Sequence, residues 1–150
     1  MRAFAILLIF GFFGNANGQS DMPDPVKWTF EVEKVSENEY KLLYKADIEQ
    51  GWAIYSQHIE EGGPIPTSFT IEEQDGVELV GAVVEPAEVE KKFDDIFEMD
   101  LIKINGPAIF YQMVKTTTSA PTIKGFLTYM SCDDSKCLPP TDVDFEFVVQ

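Results

Sequence analysis

The sequence predicts an all-β fold, an antiparallel β-sandwich. Three observations predict it. Apolar and polar residues alternate with a period of two in one run after another. Turn-forming residues punctuate these runs at short intervals. Only one stretch, Ala87 to Asp95 (AEVEKKFDD), offers a helical candidate.

The elements follow in order. Val26, Trp28, Phe30 and Val32 alternate with Lys27, Thr29, Glu31 and Glu33, the pattern of a half-buried strand. Ser36 to Glu39 makes a turn, and Tyr40, Leu42, Tyr44, Ala46 and Ile48 alternate again. Gly51 breaks this run, and Trp52 to Ile59 (WAIYSQHI) resumes a strand. Glu61 to Pro66 (EGGPIP) cannot be helical and reads as a loop. Ser68 to Glu72 and Val77 to Val83 are strands around a Gln74-Asp75-Gly76 turn. Phe97, Met99 and Leu101 alternate before an Asn105-Gly106-Pro107 turn. Ala108 to Lys115, Ile123 to Met130 and Val143 to Val149 are the last three strands. Eight or nine short strands at this spacing suit an immunoglobulin-like sandwich first and a barrel second.

The N-terminus reads as a secretory signal over residues 1–18. Arg2 is followed by eleven apolar residues, Ala3 to Phe13, and by small polar residues with a cleavage point after Gly18. The apolar run is shorter than the roughly 20 residues a membrane span requires. The expected mature domain is residues 19–150, exported. It holds 10 Lys against 26 Asp and Glu, because Arg2 is the sole arginine of the chain. Such an acidic surface repels phosphates and anionic lipid, so nucleic acid is not an expected partner.

Two cysteines are present, Cys132 and Cys137, with four residues between them. They flank the tip of an expected hairpin, where a cross-strand bond can reach. In an exported protein an even cysteine count points to a disulfide. A staple across so small a loop adds only about 2 kcal/mol, and a domain rich in aromatic core candidates has little need of it. A pair exposed at a loop also suits exchange chemistry, which requires access. A structural link and a redox-active pair both stay open on these grounds. His58, the only histidine, reads as an ordinary polar strand residue. Met99, Met113 and Met130 read as core, with a soft-metal site beside the cysteines as the alternative. No Ser/His/Asp set, phosphate loop or zinc spacing occurs, and no cofactor or metal is expected.

Several motifs carry a resemblance. They are Val26-Lys27-Trp28, Gly51-Trp52-x-x-Tyr55, Gly62-Gly63-Pro64, Lys92 to Phe97 (KFDDIF) and, most specific, Tyr129-x-x-Cys132-x4-Cys137-x-Pro139-Pro140. From Pro25 to Val149 the chain resembles the N-terminal domain of the thiol:disulfide interchange protein DsbD. The resemblance implies an immunoglobulin-like fold and a cysteine pair that shuttles between dithiol and disulfide. It implies catalytic roles for Cys132 and Cys137, with a cap loop whose aromatic residue shields them. By position the cap residue is Phe93, and Trp52 and Tyr55 match aromatic positions near the pair. The better-known members have five residues between the cysteines, and acidic residues just before the cap aromatic. Here Lys91 and Lys92 precede Phe93, and Asp94 and Asp95 follow it. The implied partners are thioredoxin-like periplasmic proteins and a separate membrane electron carrier. Lys136 beside Cys137 favours a thiolate there, whereas Asp133 and Asp134 disfavour one at Cys132. Cys137 is therefore the expected nucleophile.

Overall fold

The structure is a computed structural model that describes residues 22–87, 89–117, 119 and 121–150. The expected signal segment and its cleavage after Gly18 lie outside these residues. Eleven strands are described, in the order β1 (Val26–Lys34), β2 (Glu39–Ile48), β3 (Ala53–Tyr55), β4 (Ser68–Ile71), β5 (Val77–Val84), β6 (Glu90–Asp94), β7 (Met99–Ile104), β8 (Ala108–Thr116), β9 (Thr122–Tyr129), β10 (Ser131–Cys132) and β11 (Thr141–Val148). They form three antiparallel sheets with orders β1-β2-β8-β5, β11-β9-β4 and β10-β3-β7-β6.

The alternation read from the sequence becomes burial. Along β2, Tyr40, Leu42, Tyr44, Ala46 and Ile48 are all buried. β1 pairs with it from Val26↔Ile48 to Lys34↔Tyr40, and the turn closes where the N–H groups of Val35 and Ser36 donate to Glu39 O. β11 turns Phe145 and Phe147 inward, against Phe30 and Tyr44 of the first sheet. These side chains, with Phe110, Val114, Ile123 and Leu127, make the main core between the first two sheets. Gly125 lies at the crowded centre. A Cβ there would sit 2.0 Å from Thr70 O and 2.6 Å from the Phe145 ring.

Two local expectations change. Ala87 to Asp95 holds no helix among its described residues; its C-terminal half is β6, paired with β7 from Glu90↔Lys103 to Asp94↔Met99. A helix of nine residues is too short to hold itself without an apolar face to dock, and hairpin pairing with β7 supplies the hydrogen bonds instead. The strand expected over Trp52 to Ile59 is confined to Ala53–Tyr55. Glu85 diverts the rest of it: its carboxylate accepts the Ser56 hydroxyl at 2.7 Å and the Gln57 N–H at 2.9 Å.

Candidate functional site

The cysteines lie on the connection between β9 and β11. The chain leaves the second sheet after Tyr129, and Ser131 and Cys132 pair with Ile54 and Ala53 of β3, at the edge of the third sheet. It then doubles back. Asp133 N–H donates to Lys136 O, and Leu138 N–H to Ser131 O, each at 2.9 Å. Cys132 and Cys137 thus face each other across a tight turn, with Cα atoms 4.0 Å apart and their sulfurs joined in a disulfide.

Asp133 organises that turn. Its Oδ1 accepts the N–H groups of Ser135 and Lys136, each at 2.8 Å, and the Ser135 hydroxyl at 2.9 Å. These bonds, the Ser135 N–H foremost, hold its carboxyl below the usual carboxylate range. The Lys136 ammonium swings to the Trp52 ring, 5.9 Å from its centroid.

The two sulfurs differ in environment. A pair exposed at a loop was the expectation, but Cys132 is only 2% exposed, and Cys137 is half-buried. The reason is β10: pairing with β3 turns Cys132 toward the interior of the third sheet. There it forms a cluster with buried Tyr55 and Leu101, flanked by Ile59, Phe97, Met99, Met130 and Cys137. This cluster is distinct from the main core. Burial, and then the charge of Asp94, pushes the Tyr55 hydroxyl up to about 12, so it stays neutral near pH 7.

The structure brings Tyr55 and both cysteines together. Trp52 is half-buried and packs on the main core, and it meets the cysteine turn through Lys136 over its ring. Phe93 is 62% exposed on β6 and is absent from the disulfide cluster. The aromatic that packs there is Phe97, whose ring meets Tyr55 edge-on at 6.1 Å and 83°. Phe97 lies in the turn between β6 and β7, not in a strand. The turn is set by Asp94. Its Oδ1 accepts the N–H groups of Ile96 at 2.8 Å and Phe97 at 2.9 Å, and Lys103 Nζ lies 2.6 Å from its Oδ2. Burial alone would raise the Asp94 carboxyl, but Lys103 and the two N–H groups outweigh it and hold it below the usual range. One signal was available: Asp94-Asp95 directly precedes Ile96-Phe97, the acid-then-aromatic order absent around Phe93.

Met99 and Met130 pack on the disulfide cluster, whereas Met113 lies on β8 of another sheet and His58 is exposed. Among the described residues no three His, Cys, Asp or Glu side chains converge as a metal site, and no helix is long and apolar enough to cross a membrane.

The family described as "Thiol:disulfide interchange protein DsbD, N-terminal" matches residues 20–148. No curated protein sequence matches the chain. Among solved structures, the N-terminal periplasmic domain of ScsB from Proteus mirabilis is similar at 16% identity and a TM-score of 0.62, over 84% of this chain and 47% of that one. The chain therefore spans about half of that structure. The reduced N-terminal domain of DsbD from Neisseria meningitidis is similar at 18% identity and a TM-score of 0.53, over 81% of this chain and 85% of that one. The same domain in its complex with the PilB N-terminal domain, also from Neisseria meningitidis, is similar at 17% identity and a TM-score of 0.52, over 85% and 88%. The likeness shows an immunoglobulin-like β-sandwich. With the match running over nearly all of the described residues, this chain belongs to the family of N-terminal domains of the thiol:disulfide interchange protein DsbD.

Proposed function

We propose that this chain is an exported thiol:disulfide exchange module of the bacterial periplasm, which passes reducing equivalents to partner proteins through Cys132 and Cys137. The observation that carries the reading is the disulfide's setting. It closes a short turn outside the main core, with one sulfur buried and the other within reach of solvent. Such a link is a poor staple and a workable exchange site.

In the dithiol form, Cys137 is the nucleophile. It is the more accessible sulfur, and Lys136 beside it favours the thiolate. The Cys137 thiolate attacks one sulfur of the partner's disulfide. A mixed disulfide forms, and the partner's other sulfur leaves and takes up a proton. Cys132 then loses its proton and attacks Cys137, which releases the partner's first sulfur as a second thiol. Two electrons and two protons pass to the partner, and the Cys132–Cys137 disulfide is restored. A separate membrane electron carrier returns the pair to the dithiol. Tyr55, Trp52 and the cap turn restrict access, with Phe97 as the shielding aromatic and Phe93 on the outer face of the same hairpin. The complex of the related domain with the PilB N-terminal domain supports a protein partner, and thioredoxin-like proteins are the class the family resemblance implies.

Trapping tests this directly. Cys132→Ala, incubated with an oxidised thioredoxin-like protein, should accumulate a covalent complex by mass spectrometry, because Cys137 attacks and nothing releases it. Cys137→Ala should accumulate far less. If neither variant traps a partner, and the wild-type disulfide has a potential below about −300 mV, the link is structural. The packing of Met99 and Met130 on the disulfide cluster supports a second reading, a non-enzymatic binding module or soft-metal carrier. It requires that the reduced protein bind Cu(I) without exchanging disulfides.

A further inference from the structure

The hairpin between β6 and β7 presents Asp95, Ile96 and Glu98 to solvent and turns Phe97 inward. No regular repeat of a strand produces that arrangement. Glu98 has a φ of 54°, the one positive value at a non-glycine among the described residues. A backbone so placed is held by its surroundings. The holding group is the Asp94 carboxylate, 2% exposed. An ordinary turn aspartate of this kind sits in solvent. This one divides its two oxygens, Oδ1 to the Ile96 and Phe97 N–H groups and Oδ2 to Lys103 Nζ. Lys103 is opposite Tyr55 in the β3–β7 pairing, and Tyr55 is the ring on which Phe97 packs. The ion pair therefore ties the turn to β7, which carries Leu101 and Met99 of the disulfide cluster and pairs with the strand of Tyr55.

We propose that Asp94 is a positioning residue, a latch whose carboxylate, anchored by Lys103, fixes the turn that keeps Phe97 packed beside the Cys132–Cys137 disulfide and limits attack on it. The purpose of the latch rests on the exchange reading, but its operation does not. Releasing the carboxylate frees the Phe97 N–H and lets the ring leave the cluster, which opens the disulfide to a reductant. Removing one partner of a buried, hydrogen-bonded charge pair leaves the other uncompensated, so either partner is a handle on the latch.

The test follows reduction of the disulfide in the exported chain by a small water-soluble phosphine. The phosphine takes oxygen from water and becomes its oxide, while the disulfide becomes two thiols, counted by alkylation and mass spectrometry. Asp94→Ala should be reduced about tenfold faster than wild type, the effect of roughly 1.4 kcal/mol on opening the turn. Lys103→Met should also be faster. Asp94→Asn keeps a neutral acceptor for the two N–H groups and should fall between Asp94→Ala and wild type. Phe97→Ala should be fast, and Asp94→Ala combined with it should be no faster, because the latch acts through that ring. Rates that multiply in the double variant, or folded Asp94→Asn and Lys103→Met proteins reduced at the wild-type rate, would overturn the latch even if Asp94→Ala does not fold. No protein partner is present, so failed exchange with a thioredoxin-like protein would sink the functional reading and leave these rates interpretable.

Discussion

At the scale of single residues, the site is asymmetric. Cys132 is sealed by its pairing with β3, whereas Cys137 follows a lysine and keeps partial exposure. Lys136 is held over the Trp52 ring, a placement that a cation and an aromatic face favour. A nearby positive charge stabilises a thiolate and lowers a thiol's pKa. Lys136→Met should therefore raise the pKa of Cys137 in the reduced protein, read from the pH dependence of its alkylation by iodoacetamide. An unchanged profile would show that the ammonium is too far from the sulfur or too well screened. The two cap candidates separate just as cleanly. Phe97→Ala should speed reduction of the disulfide, and Phe93→Ala should leave the rate unchanged, because Phe93 is 62% exposed and lies outside the cluster.

At the scale of elements, two places in the sheets make definite demands. β9 is central in its sheet and passes between Thr70 of β4 and the Phe145 ring of β11 at Gly125. Gly125→Ala would set a methyl against a backbone oxygen that cannot move without breaking strand pairing. Such overpacking should cost about 2 kcal/mol or more, measurable as a lower midpoint in urea unfolding. The β6–β7 hairpin makes an electrostatic demand. The folded Asp94 carboxyl is held below its ordinary value of 3.8. Its contribution is therefore present above that value and is lost as pH falls through the folded value. Lys103 of β7 and Tyr55 of β3 are the charged and ionisable groups that face it. Phosphine reduction of the disulfide should accelerate only as pH falls through that folded value, below 3.8. In Asp94→Asn that acceleration should vanish. Asp133 titrates in the same direction at the cysteine turn but remains in that variant, so the comparison isolates Asp94.

At the scale of the whole molecule, the main core and the disulfide cluster are separate. The interlocked rings of Trp28, Phe30, Tyr44, Phe69, Phe110, Phe145 and Phe147 make no use of the cysteines. The disulfide closes a separation of only five residues, so it constrains the unfolded chain little. Reduced protein should stay folded and lose about 2 kcal/mol against the oxidised form in chemical denaturation. Unfolding on reduction would show that the cluster supports the sandwich instead of riding on it. On the proposed exchange reading, this independence would let the pair cycle without disturbing its scaffold.

The alternation of apolar residues by itself determined most of the fold. Val26 to Val32, Tyr40 to Ile48 and Val143 to Val149 bury the faces their patterns mark, because a pleated strand turns every second side chain to the same side. The cysteine spacing likewise set the covalent link, since two residues flanking a tight turn lie within reach of one bond. The rest depended on contacts between distant segments. Whether Ala87 to Asp95 became helix or strand was decided by β7, which lies after it in the chain. That Cys132 is buried and Cys137 is not was decided by pairing with β3, nearly eighty residues earlier. The inward aromatic is Phe97 because a buried aspartate, paired to a lysine on the next strand, bends the backbone that way. Local periodicity reports which face of a strand is apolar. Which strand covers that face, and which loop closes over a sulfur, is set by long-range pairing, and only the assembled sheets carry that information.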